Sequence, residues 1–205
     1  MGKENIMLKI KIPKFAYGKK TILENIDLSI STKKIHSITG DNGNGKSTFL
    51  HILSGAIKVN KNIEISHNFK TIMCAFQHPI ILNRTVEGNL LHLGKILKIK
   101  SIDEQIKIAL QEINLLHLKS QPAQSLSGGQ KMRLQIARLI VSDADLWILD
   151  EPFAGLDEKS CEALMNIIKK HNKKGATILI ATHNNIIKDI CDKNYLFVDK
   201  TIRIK

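Results

Sequence analysis

The chain has 205 residues, of which 43% are apolar and 24% charged, and this composition is typical of one globular domain with a sizeable core. It contains no run of 18 or more apolar residues, which excludes a chain that spans a membrane alone. The formal net charge of +12 comes mainly from scattered lysines. Nucleic-acid readers usually cluster their basic residues, so we expect no nucleic-acid partner.

The cysteines and the N-terminal residues indicate a cellular compartment. Cys74, Cys161 and Cys191 are far apart in the sequence, and no pair has metal-site spacing, so we expect three reduced thiols. Residues 1–5 lack the apolar core of a signal peptide, which favours a cytosolic protein.

The first third of the chain predicts β-strands. Residues 7–12 alternate apolar and polar side chains as a half-exposed strand does, and Pro13 is expected to end that strand. A loop that carries Phe15, Tyr17 and Gly18 should follow. Further strand-like stretches lie at residues 22–30, 35–39, 63–65 and 71–76.

The strand at residues 35–39 leads into a segment that fits the phosphate-binding pattern G-x-x-x-x-G-K-[ST] and precedes an apolar helical face. Its glycines let backbone N–H groups converge on a phosphate, and the helix N-terminus adds partial positive charge. Lys46 would reach the terminal phosphates, and the Ser47 hydroxyl would face Mg²⁺. The expected phosphate-binding residues are Gly40, Asn42, Gly43, Asn44, Gly45, Lys46, Ser47 and Thr48.

The middle of the chain changes to a helical pattern. It extends from Thr85, a plausible N-cap with Glu87 close behind it, to Leu118, and Pro122 breaks it. One helical face is marked by Ile102, Ile106, Ala109, Leu110 and Ile113. We therefore predict a small helical subdomain, at about residues 83–142, inserted into an α/β core.

The second half alternates helices and strands again. Ser127 should cap a helix that runs to about Val141, and another helix is expected at residues 158–171. The continuous apolar runs at residues 146–149 and 177–181 predict strands that are buried on both faces of a parallel sheet. A short helix and two strands are expected after them.

Two acids, Asp150 and Glu151, directly follow the apolar strand at residues 146–149. A carboxylate at the C-terminal end of a central parallel strand lies beside the phosphate loop in an α/β sheet. Asp150 is therefore a candidate Mg²⁺ ligand, and Glu151 is placed to polarise a water against a γ-phosphate.

A second unusual segment is Leu-Ser-Gly-Gly-Gln at residues 126–130. Ser127 is an N-cap candidate, whereas Gly128 and Gly129 at the first helical positions reduce helix stability. Such residues are reasonable where the backbone must approach a ligand closely, and a helix N-terminus with bare amides is an anion site. The chain thus holds two separate candidate phosphate-binding helix starts.

Residues 126–130 resemble the signature motif of ATP-binding cassette (ABC) proteins, and the other motifs of this family follow in order across nearly the whole chain. The resemblance implies a P-loop NTPase core, in which a mostly parallel sheet is flanked by helices, with an antiparallel β subdomain and the inserted α-helical subdomain. It further implies a single ABC ATPase domain over residues 1–205 that binds ATP and Mg²⁺ and hydrolyses ATP.

The resemblance assigns roles to single residues. Tyr17, which lies 23 residues before Gly40, is similar to the aromatic residue that stacks on adenine. Gln77 is similar to the glutamine that touches Mg²⁺ and the attacking water. Asp150 and Glu151 match the metal-binding acid and the general base.

Other positions match the parts that meet across a dimer. His183 resembles the switch histidine that contacts the γ-phosphate, and residues 154–157 match the loop that crosses the dimer interface. In the family, the signature binds the γ-phosphate of the nucleotide held by the other subunit's phosphate loop. The signature residues here are Ser127, Gly128, Gly129 and Gln130. We therefore expect two copies of this chain to form a homodimer with ATP between them.

Three functional classes compete. A phosphate-loop GTPase leaves the signature unexplained, and its N-K-x-D guanine-reading motif is absent. Chromosome-acting ABC ATPases carry a long coiled coil between phosphate loop and signature, whereas Lys46 and Ser127 are 81 residues apart, and ribosome-acting members usually carry two cassettes. The motor subunit of a membrane transporter remains, with separate permease subunits and a location on the inner face of the cell membrane.

The segment after Gln77 bears on the direction of transport. It resembles the permease-facing region of bacterial importer ATPases, most of all those for oxyanions such as tungstate or molybdate. Its Ile-Ile-Leu run at residues 80–82 is too apolar for a free loop, so we expect residues 77–95 to dock on a permease. Small exporter ATPases, such as the haem-export subunit of cytochrome c maturation, and soluble ABC ATPases not coupled to transport remain alternatives.

Overall fold

The computed structural model describes residues 6–183 and 185–204, and nine strands and five α-helices lie in these two ranges. The strands are β1 Ile6–Tyr17, β2 Lys20–Ser31, β3 Ile35–Thr39, β4 Glu64–His67, β5 Ile72–Ala75, β6 Leu146–Asp150, β7 Thr177–Ala181, β8 Lys193–Val198 and β9 Thr201–Ile204. The helices are α1 Lys46–Leu53, α2 Val86–Leu97, α3 Ile102–Glu112, α4 Gly128–Val141 and α5 Glu158–Lys173. Short 3₁₀ helices lie at Leu116–Leu118, Ala123–Ser125 and Asn185–Ile190.

The strands form two sheets. The first is antiparallel, with the order β2-β1-β4. The second has the order β5-β6-β7-β3-β8-β9, and its neighbours are parallel except for the antiparallel pair β8–β9. Every residue of β3, β6 and β7 is buried, as their apolar runs predict. The predicted α/β class, with a mostly parallel sheet and a separate antiparallel sheet, is confirmed.

The prediction that Pro13 ends the first strand is wrong. β1 continues through Pro13 to Tyr17, so Phe15 and Tyr17 lie in the strand and not in a loop. The reason is that β4 pairs only with residues 8–11 of β1, so beyond them one edge of β1 has no strand partner in the described residues. A proline, which cannot donate a ladder hydrogen bond, is tolerated at such an edge.

Polar side chains cap the N-termini of α2 and α5, of which only the cap of α2 was predicted. The Thr85 hydroxyl accepts a hydrogen bond from the N–H of Gly88 at 2.9 Å and starts α2, so this N-cap is confirmed. Asp157 caps α5 in the same way, with its carboxylate accepting from the N–H of Ser160 at 2.8 Å. The helical run that starts at Thr85 is interrupted at Lys98, whose φ of 53° ends α2 before α3 begins.

The core consists of two hydrophobic clusters on the parallel sheet. One surrounds Phe49 of α1 and joins the antiparallel sheet to the parallel one. The other joins Leu90 of α2, Leu110 of α3 and Leu134 of α4 to Trp147 of β6. Because these helices share a continuous core with the sheet, the boundaries of the helical subdomain stay a prediction. No helix in the described ranges combines the length and the apolar character needed to cross a bilayer.

Candidate nucleotide-binding site

The phosphate loop connects β3 to α1, and its backbone requires glycine. Gly40, Gly43 and Gly45 have φ angles of 151°, 83° and 106°, which residues with a Cβ rarely adopt. A Cβ at Gly40 would also overlap the main-chain oxygen of Phe197 in β8. The loop conformation therefore depends both on its own glycines and on the neighbouring strand.

Lys46 opens α1 and is almost fully buried. Its Nζ donates to the main-chain oxygen of Gly40 at 2.7 Å and to that of Asp41 at 3.0 Å. Both acceptors are neutral, so the ammonium is held inside the loop with its positive charge available to an anion that enters there.

Asp150, at the C-terminal end of β6, is 3% exposed and hydrogen-bonded to the Ser47 side chain. Burial raises the pKa of the Asp150 carboxyl above its usual value, and the hydrogen bond from Ser47 opposes that shift. Its Oδ1 is buried, and no residue in the described part of the chain bonds to it. A buried carboxylate oxygen is rarely left in this way, so it fits a site that a cation or a bound water completes.

Glu151 follows in a strained backbone conformation, with a φ of 49°. Its Oε2 accepts from the Thr182 hydroxyl at 3.0 Å, and its Oε1 accepts from the N–H of His183 at 3.0 Å. The same Oε1 lies 3.0 Å from Nδ1 of His183, whose side chain is 57% exposed. The carboxylate is thus fixed by the end of β7, while the imidazole beside it remains open to solvent.

Lys46, Glu151 and His183 line one open cavity of about 380 Å³, whereas the buried Asp150 does not reach its surface. Its size lies in the range of small-molecule sites in proteins. The residues that line it are Ile22, Asn42, Gly43, Gly45, Lys46, Ser47, Thr48, Gln77, Glu151 and His183. The structure therefore brings the predicted phosphate-loop residues together with the predicted glutamine, base and histidine.

Other predicted site residues do not line the cavity. Gly40 lies behind the loop against β8, and the Asn44 amide donates to the main-chain oxygen of Phe197 at 3.5 Å. Tyr17 is 53% exposed and packs edge-on against Phe15, with 5.1 Å between the ring centroids. Its ring is accessible to a stacking partner from solvent.

The second predicted phosphate site, at the start of α4, is also outside this cavity. Ser127 and Gln130 form a capping box: the Ser127 hydroxyl accepts from the N–H of Gln130 at 3.3 Å, and the Gln130 side chain accepts from the N–H of Ser127 at 2.9 Å. A Cβ at Gly128 would meet open space, whereas one at Gly129 would contact Leu156 at 3.3 Å. Gly128 thus lies on an uncovered surface.

Two residues of the site were not predicted from the sequence. Thr182 is fully buried and anchors Glu151, and Ile22 supplies an apolar wall of the cavity. Thr182 directly follows β7, which pairs in parallel with β6, the strand that leads into Glu151. A prediction of that strand order would have identified Thr182, whereas no sequence signal distinguishes Ile22.

The ABC transporter family model matches residues 23–154 of this chain. The cytochrome c biogenesis ATP-binding export protein CcmA of Reclinomonas americana is 32% identical over 197 residues, which cover 89% of this chain and 86% of that protein. The tungstate uptake system ATP-binding protein TupC of Campylobacter jejuni is 35% identical over 203 residues, which cover 94% of this chain and 61% of that protein.

Solved structures of ABC proteins also match this chain. A metal-chelate type ABC transporter in an inward-facing conformation matches with a TM-score of 0.83 at 26% identity, covering 98% of this chain and 83% of that one. The cbiO1 protein from Clostridium perfringens, part of the ABC transporter complex cbiONQ, matches with a TM-score of 0.78 at 29% identity, covering 98% of this chain and 88% of that one. The P-loop NTPase fold is confirmed, and the chain belongs to the ABC transporter family as the ATP-binding, ATP-hydrolysing subunit of a transporter.

Proposed function

We propose that the cavity at the phosphate loop binds ATP with Mg²⁺ and that the residues around it carry out hydrolysis. The observation that carries this proposal is the meeting of a buried cation, Lys46, with two buried carboxylates, Asp150 and Glu151, at one glycine-shaped loop. The backbone N–H groups of the loop and the N-terminus of α1 would hold the phosphates, and Lys46 would neutralise their charge.

The side chains present fit a magnesium ion. Mg²⁺ prefers oxygen ligands, and the Ser47 hydroxyl is bonded to the carboxyl group whose Oδ1 has no partner in the described part of the chain. Ser47 and Asp150 would hold the ion, with Gln77 at the cavity wall as a further ligand. When bound, the ion neutralises charge that develops on the phosphate oxygens during transfer.

Glu151 is the proposed general base, which accepts a proton from the attacking water. Because Thr182 and the main chain of His183 already hold the carboxylate, its position is set before nucleotide binds. The exposed ring of His183 would contact the γ-phosphate, and Gln77 would orient the water. Each of these side chains except the buried Thr182 lines the same cavity.

Replacement of Tyr17 tests the adenine site. Stacking of a base on an aromatic ring contributes about 1–3 kcal/mol, so Tyr17→Ala should weaken ATP binding by roughly 5- to 150-fold while kcat changes little. Tyr17→Phe keeps the ring and should bind ATP as the parent does. Unchanged affinity of Tyr17→Ala in a direct ATP titration would show that another residue stacks on the base.

We further propose that two copies of the chain sandwich two ATP molecules. Ser127, Gly128, Gly129 and Gln130 lie outside the cavity of their own chain, and the surface at Gly128 is open. Each γ-phosphate would bind between the phosphate loop of one copy and the signature of the other. A two-fold symmetric dimer, the commonest closed assembly, forms two such sites at once.

The proposed partner in the membrane is a permease, and the proposed location is the cytoplasmic face of the cell membrane. The support comes from Ile80, which is 72% exposed next to the Gln77 that lines the nucleotide cavity. An exposed apolar side chain at this place suits a docking surface, and residues 77–95 would form it. A permease loop bound there would lie close to the glutamine that senses nucleotide.

A photo-crosslinker at Ile80 tests this partner. We expect it to capture an integral membrane permease in membranes of the source cells, because Ile80 is more exposed than the half-buried Leu82. The same crosslinker at Ile204, which is 79% exposed on β9, provides a matched control and should capture no permease. Recovery of ribosomal or DNA-bound proteins from Ile80 would contradict coupling to transport.

For direction and cargo, we propose import of an oxyanion such as tungstate or molybdate. The support is the 35% identity to the tungstate uptake protein TupC together with the permease-facing character of residues 77–95. Export is the second candidate, because the export protein CcmA is 32% identical over a larger share of its own length. Mass-spectrometric identification of the permease captured from Ile80 decides between the two.

A further inference from the structure

The segment 76–82, which contains Gln77 and is the first part of the connection from β5 to α2, is attached to the signature helix α4. Gln135 of α4 is 4% exposed, its Oε1 accepts from the N–H of Phe76 at 3.2 Å, and its Nε2 donates to the main-chain oxygen of Phe76 at 2.8 Å. β5 is an edge strand, so the residue that follows it, Phe76, has no neighbouring strand on one side in the described part of the chain. The Gln135 side chain supplies the pair of main-chain hydrogen bonds that such a strand would supply.

The other end of the segment is held from the next turn of α4. Arg138 donates through Nη1 to the main-chain oxygen of Ile80 and through Nη2 to Oδ1 of Asn89, each at 2.7 Å. The buried Asn89 in turn bonds both main-chain groups of Leu82, at 3.0 Å to the N–H and 3.2 Å to the oxygen. We call Gln135, Arg138 and Asn89 the clamp.

Phe76 also contacts the helix of the phosphate loop. Its ring lies against that of His51 in α1, with 4.4 Å between the centroids. α1 begins at Lys46, whereas α4 begins next to Ser127, about 12 Å along the helix axis from Gln135 at 1.5 Å per residue. Phe76 thus connects the helix of one phosphate site to the helix of the other.

We propose that Gln135 and Arg138 are positioning residues that couple the two halves of the nucleotide site. An ATP that engages Lys46 and Gln77 of one copy would then also fix the direction of that copy's α4, and hence of the Ser127 that faces its partner's ATP. The clamp holds main-chain atoms, so it transmits movement of the segment directly to the helix. This inference rests on the ATP-sandwiched dimer proposed above.

The test is made in the Glu151→Gln background, which slows hydrolysis. It compares the dimerisation of the ATP-loaded chain with the binding of ATP to the monomer. Gln135→Met has a side chain of similar length without the two hydrogen bonds to Phe76. We expect the dissociation constant of the ATP-loaded dimer, measured by analytical ultracentrifugation, to rise about tenfold, which corresponds to about 1.4 kcal/mol. The affinity of the monomer for ATP, titrated at low protein concentration, should change less than about twofold, because the phosphate loop is untouched.

Three further variants separate positioning from folding. Gln135→Glu keeps the acceptor for the N–H of Phe76 but not the donor, so it should give an intermediate dimer constant. Gln105→Met makes the same residue change at a half-buried position on α3, and Ile168→Val weakens the core on α5 without altering the clamp. Neither of these two should change the dimer constant.

The outcomes are distinguishable. A Glu151→Gln parent that binds ATP but forms no dimer overturns the proposed dimer and this inference together. If the Glu151→Gln parent dimerises and its Gln135→Met and Gln135→Glu variants dimerise as well as the parent does, the proposed role of the clamp is overturned, whereas the proposed dimer stands. The role of the clamp is also overturned if Gln135→Met weakens ATP binding by the monomer as much as it weakens the dimer, because the substitution would then act on the phosphate loop itself.

Discussion

With Mg²⁺-ATP, a Glu151→Gln variant should accumulate as a stable dimer that holds two ATP molecules and shows almost no turnover. The amide cannot accept a proton from water, and loss of a general base typically lowers kcat by about 10²- to 10⁴-fold. The fold should tolerate the change, because the amide oxygen can accept from the N–H of His183 while the amide nitrogen donates to the Thr182 hydroxyl. Light scattering after gel filtration, with bound nucleotide counted, measures both effects.

Glu162→Gln is the matched control, since it makes the same change of charge at an exposed position on α5 and should retain wild-type hydrolysis. Wild-type turnover by Glu151→Gln would show that another group accepts the proton. A variant that binds ATP and stays monomeric at high concentration would point to an obligate partner subunit other than a second copy.

Adding Ser127→Arg to Glu151→Gln should abolish the ATP-loaded dimer, while each monomer still binds one ATP. The arginine places a bulky side chain on the surface proposed to receive the partner's γ-phosphate. It also removes the hydroxyl that caps α4, which costs roughly 1 kcal/mol of stability. ATP binding should persist, because Ser127 does not line the phosphate-loop cavity of its own chain.

Two controls separate the interface effect from loss of the cap. Ser127→Thr retains a capping oxygen and should dimerise nearly as the parent does, whereas Ser120→Arg introduces the same bulk at an exposed position outside the signature motif. Ultracentrifugation with and without Mg²⁺-ATP measures all three variants. A dimer that persists in the Ser127→Arg protein would rule out this surface as the second half of the nucleotide site.

The features predictable from the sequence are those encoded over a few consecutive residues. The strand, loop and helix at residues 35–53 follow from one contiguous motif, and the caps at Thr85 and Ser127 depend on residues within one helical turn. The candidate site could be assembled in advance because Asp150 and Glu151 follow a strand whose apolar run identifies it as central.

What could not be predicted depends on long-range pairing. The tolerance of Pro13 is decided by how far β4 extends along β1, which residues 7–13 do not encode. Gln135 and Arg138 bond main-chain groups far away in the sequence, and every residue has those groups, so no spacing of residue types reveals the contact. Such positions can be identified only from the folded structure.

The contact between Gly40 and the main-chain oxygen of Phe197 has a consequence for biosynthesis. The loop is translated early, but the strand that packs against its first glycine, β8, consists of residues 193–198. β3 lies between β7 and β8 in the sheet, so an incomplete nascent chain that ends before β8 lacks that wall of the loop. Parallel pairing between segments this far apart in the sequence is intrinsically slow to form. We therefore expect nucleotide to stabilise the finished domain more than a chain stalled before β8, because the stalled chain lacks the strand that supports the first glycine of the loop.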